Sequence, residues 1–91
     1  MQAVFERFKA FVNDQIPYHY VNMILSPMTV DTFMAVIVKM RAADPYRADI
    51  AGDVLARLNI DPADFKPEAM DKFVRYCDYF DATARSLLAD S

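Results

Sequence analysis

The sequence predicts an all-α fold: a single domain over residues 1–91, a bundle of about four helices with a long amphipathic helix in its C-terminal third. Three observations predict it. From Pro67 to Leu88, the apolar residues Met70, Phe73, Val74, Cys77, Phe80, Ala84, Leu87 and Leu88 recur at steps of three, four and seven. That is the helical period, held over about six turns. The chain has one glycine, too few for the positive-φ corners of a turn-rich β fold. A composition 55% hydrophobic and 13% aromatic can fill a core, and 91 residues leave room for only one.

The first element places Val4, Phe5, Phe8, Phe11, Val12 and Ile16 on one face, with Glu6, Lys9, Asn13 and Asp14 largely opposite. Pro17 removes a backbone donor and disfavours α geometry at Ile16, so this helix should end or kink there. Tyr18 to Leu25 then forms a shorter helical piece, and the spacing leaves open whether the two are one kinked helix.

After the Ser26-Pro27-Met28 connector, Thr29 is the expected N-cap of a helix from Val30 to about Ala43, with Met28 and Phe33 placed as a hydrophobic staple. Val30, Phe33, Met34, Val36, Ile37, Val38 and Met40 cover more than half of its circumference. Such a helix is either sandwiched between neighbours or offers a second apolar face to a partner. The Val36-Ile37-Val38 run would also suit a buried strand, but the cap, the length and the lack of a second strand candidate favour helix.

Asp44-Pro45 reads as the next helix start, an N-cap followed by proline at the first helical position. Ile50, Ala51, Val54, Leu55 and Leu58 supply the core stripe, and Asn59 a left-handed C-terminal residue. Gly52 on the outer flank is either drift or a point of close backbone approach. Asp61-Pro62 starts a single turn, and Lys66-Pro67 opens the long helix, with Ile60, Phe65 and Met70 in staple positions.

In that long helix two residues break the pattern. Asp81 projects from inside the apolar arc, and Tyr79 sits among the charges. A carboxylate on a core-facing arc is costly unless paired. Arg85, one turn on, is its expected partner, and a cation from another helix or another chain, such as Arg41, is the alternative.

No pattern supports an enzyme. His19 is the only histidine and has no ligand set at metal spacing, so neither a metal nor a cofactor is expected. Cys77, in the middle of the apolar arc, reads as a core hydrophobe. Asp61 to Asp71 lacks the calcium-loop pattern, one glycine excludes a phosphate-cradling loop, and the serines carry no nucleophile signature.

Thirteen acids against ten bases give a net charge of −3, and no helix is basic, so nucleic-acid binding is not expected. A lone cysteine, no signal-like N-terminus and no long apolar run lead to the expectation of a cytoplasmic protein without a membrane span.

The functional expectation is a small protein-binding module, a subunit, adaptor or inhibitor that docks on another protein or on itself. Its expected surface combines Tyr18, Tyr20, Met34, Val38 and Tyr79 with the misfit Asp81. The alternatives are a carrier of a small apolar ligand in a Phe/Met-lined cavity and a helical transcription-type regulator.

Overall fold

The computed structural model describes residues 1–16, 19–47 and 49–90, with His19 described by its backbone alone. It is all-α. The helices are α1 (Gln2–Gln15), α2 (His19–Leu25), α3 (Val30–Ala43), α4 (Ala51–Arg57) and α5 (Pro67–Ala89), with a single 3₁₀ turn at Pro62–Asp64. α5 packs most extensively against α3 and also meets α4 and α1, while α1 carries α2. At 1.5 Å per residue α5 is about 34 Å long, close to the 37 Å longest dimension of the molecule.

Local chemistry accounts for most boundaries. Thr29 caps α3, its hydroxyl accepting the Thr32 N–H at 3.1 Å. Asp61 caps the 3₁₀ turn by accepting from the Ala63 N–H at 2.9 Å. Pro67 opens α5, and Asn59 takes the left-handed conformation with φ 57°. α1 stops where Ile16 leaves helical geometry, at φ −126° and ψ 80°, as a residue before proline is expected to do. The Pro17–Tyr18 junction, and with it the expected kink, lies outside the described residues.

One start signal misleads. Asp44-Pro45 does not begin a helix: Asp44 ends α3, its N–H donating to the Met40 carbonyl, and α4 begins only at Ala51. The Asp44, Pro45 and Arg47 carbonyls turn instead to the Arg41 guanidinium. Asp49 supplies the local cap, accepting from the Ala51 N–H at 2.8 Å. The expected core stripe of α4 nevertheless holds, with Ile50, Ala51, Val54, Leu55 and Leu58 all buried.

The core is an aromatic cluster that joins all seven phenylalanines. Phe8 lies 5.6 Å from Phe73 and 5.4 Å from Phe80, and Phe33 lies 5.0 Å from both Phe5 and Phe80. Phe65 extends the cluster to Phe73 and Phe11. Offset and edge-on ring pairs at these separations add about 0.5–1.5 kcal/mol each beyond the area they bury. Cys77 belongs to this interior at 1% exposure, and burial pushes its thiol pKa up, with Asp49, Asp78 and Asp81 adding to the shift. Leu87 departs from the expected arc and is exposed. It sits in the last turns of α5, and the 14-residue α3 is too short to accompany a 23-residue helix along its whole length. Gly52 has no atom within 4 Å of where a Cβ would stand, so no close backbone approach explains it.

Candidate protein-docking groove

The two misfits of α5 resolve differently. Asp81 is buried and receives two parallel bonds from Arg41, Nε to Oδ1 and Nη2 to Oδ2, both at 2.8 Å. Arg85, the expected partner, contributes a longer bond of 3.3 Å from a half-exposed side chain. The pairing is therefore chiefly between helices. Arg41, 1% exposed, also gathers three carbonyls of the α3–α4 connection, the closest being Arg47 O at 2.6 Å from Nη1. A buried guanidinium needs this many acceptors to offset its desolvation. Asp81 is thus a structural anchor, consumed within the fold.

The expected binding surface does not assemble on α3. Met34 is buried, Val38 is half-buried against the core, and the exposed side chains of α3 are Asp31, Thr32, Ala35, Lys39, Ala42 and Ala43. Most of the apolar circumference of α3 is buried against its neighbours, and Val36 and Met40 border a groove beside α4. Tyr18 lies outside the described residues. Tyr20 on α2 is exposed, at 56%, and is not among the residues lining the groove that holds Tyr79.

Tyr79, 45% exposed, instead lines a groove between α1 and α5 together with Val4, Arg7, Lys72, Arg75 and Tyr76. The groove continues past Arg7, Lys72 and Tyr76 to Phe11, Ala69 and Lys66, where Asp14 and Glu68 also line it. Its floor is apolar and aromatic. Val4, Phe11 and Tyr76 are all half-buried, and Phe11 and Tyr76 lie 5.6 Å apart.

Its rim is cationic. Arg7, Lys66, Lys72 and Arg75 are exposed and form no ion pair among the described residues. Lys72 Nζ sits 5.1 Å from the Phe11 ring centroid, a cation–π contact. Of the other six bases, four find carboxylates among the described residues: Arg41 and Arg85 meet Asp81, Arg47 meets Asp44 and Asp53, and Lys9 meets Glu6. Sequence reasoning missed this groove because its residues come from two helices about 65 positions apart, and pattern along one helix does not reveal which helix lies beside it. The available signal was that Arg7, Lys72 and Arg75 each flank an aromatic residue.

Among the described residues no helix is long and apolar enough to cross a membrane, and no three His, Cys, Asp or Glu side chains converge where a metal ion could be held. No family model, curated protein or solved structure matches the chain.

Proposed function

We propose that this protein is a protein-binding module whose α1/α5 groove takes an acidic segment of another protein, one that brings apolar side chains down to Val4, Phe11, Tyr76 and Tyr79. The observation that carries this reading is the set of unpaired cations on an apolar floor. Setting Arg7, Lys66, Lys72 and Arg75 aside leaves six bases against thirteen acids, so four unpaired cations gathered in one groove stand out on an acidic chain. Complementary charge selects and orients a partner, while desolvated aromatic contacts supply most of the affinity. An extended polyanion such as nucleic acid would also meet the acidic remainder of the surface, which disfavours it.

The test is fluorescence anisotropy with an acidic amphipathic peptide carrying Glu, Leu and Phe, run beside a single-stranded oligonucleotide. Binding of the peptide that weakens with salt and falls at least about tenfold in a Lys72→Glu/Arg75→Glu variant supports the proposal. Equal binding of the oligonucleotide, or peptide binding that ignores the substitutions, would overturn it. Light scattering supplies a second check, because a dimer abolished by the same substitutions would assign the groove to a second copy.

A further inference from the structure

Between α2, α3 and α4 opens a cavity of about 220 Å³. Its walls are Ile24, Met28, Phe33, Ile37, Val54 and Leu58 among other apolar side chains, and its one polar lining residue is Arg57. The cavity is continuous, through Val36, Met40 and Arg57, with a more open groove that also carries Lys39, Arg47 and Asp53.

The charges at this mouth are unequal. Arg47 is ion-paired with Asp44 and Asp53. Arg57 meets no carboxylate among the described residues, and its Nε donates only to Met40 Sδ at 3.3 Å, a weak acceptor. Lys39 is exposed and equally without an ion pair. An apolar chamber with one unpaired guanidinium at its entrance matches an amphiphile with one anionic head. An apolar cavity of about 150 Å³ holds the six carbons of benzene, so this one accommodates a tail of roughly eight.

We infer that this site binds a medium-chain monocarboxylate, its tail in the α2/α3/α4 cavity and its carboxylate on Arg57 with Lys39 beside it. The site lies on a different face from the α1/α5 groove and does not depend on it. A phospholipid presents the same chemistry of one anionic head on an apolar tail, and the experiment separates the two sources.

Calorimetric titration with octanoate, octanol and acetate, repeated on Arg57→Gln, is the direct test. Arg57 is exposed, so its replacement leaves the fold intact, and a thermal melt verifies this. The expected result is saturable octanoate binding, octanol at least about tenfold weaker, and no binding of acetate. Arg57→Gln should weaken octanoate by about tenfold and leave octanol unchanged. Octanoate binding no better than octanol, or untouched by Arg57→Gln, would overturn the assignment. So would co-sedimentation with phosphatidylglycerol vesicles without octanoate binding, which would assign the anion to a membrane surface.

Discussion

The two sides of α5 treat charge in opposite ways. On the side facing α3, the carboxylate of Asp81 is buried and held by two arginines, and Arg41 is further tied to three carbonyls. On the side facing α1, Lys66, Lys72 and Arg75 stand exposed without an ion pair among the described residues, joined by Arg7 from across the groove. The first arrangement spends its interactions inside the fold and leaves nothing for a partner. The second leaves its charges and its aromatic floor available. Asp81, a misfit expected to belong to the binding surface, therefore holds the bundle together, while ordinary surface cations mark the candidate docking site.

Substitutions should separate the two sides, and the largest effect falls at Arg41. Arg41→Ala leaves Asp81 and the connection carbonyls buried without their main donor, and should cost about 3–5 kcal/mol in urea unfolding. Arg85→Ala removes only a half-exposed second partner and should cost at most about 1 kcal/mol. Equal losses at the two arginines would break the distinction between an interhelical anchor and a rim contact. Next comes Cys77. Its raised pKa means that the folded thiol holds its proton where an unfolded one, with a pKa of roughly 8.5, has lost it. Its contribution is complete below that pH and declines above it, by up to about 1.4 kcal/mol per pH unit. Unfolding measured from pH 8 to 10 should show this slope in the parent protein and a shallower one in Cys77→Ala.

On the groove side the Lys72→Glu/Arg75→Glu variant should keep its unfolding midpoint within the equivalent of about 1 kcal/mol, the cation–π contact of Lys72 being the main loss. Large destabilisation would show that these charges serve the fold after all. Gly52→Ala should have the smallest effect and the opposite sign, a gain of about 0.5–1 kcal/mol in thermal unfolding. The position is helical, exposed and open to a Cβ.

The fold was legible because its determinants lie close together along the chain. The cap at Thr29, the turn at Asp61-Pro62, the start at Pro67 and the left-handed Asn59 each act within a few residues, and each stands where its local chemistry places it. The helix start at Asp44-Pro45 failed because Arg41, three to six residues earlier and held by Asp81 from the distant α5, draws the carbonyls that a helix there would have needed. The candidate docking surface was less legible. Tyr79 keeps its place in the groove, whereas Met34 is buried because α3 has neighbours on both of its apolar flanks.

What this sequence determined alone is the all-α class, the order of its helices and the membership of most of the core, because periodicity and caps are properties of a few consecutive turns. What only the tertiary structure decided is which helices lie side by side. That arrangement sets Arg41 rather than Arg85 as the chief partner of Asp81, and it brings Arg7 to Lys72 and Arg75 across the groove. Burial, and the free energy of a charge, depend on neighbours that the chain supplies from far away.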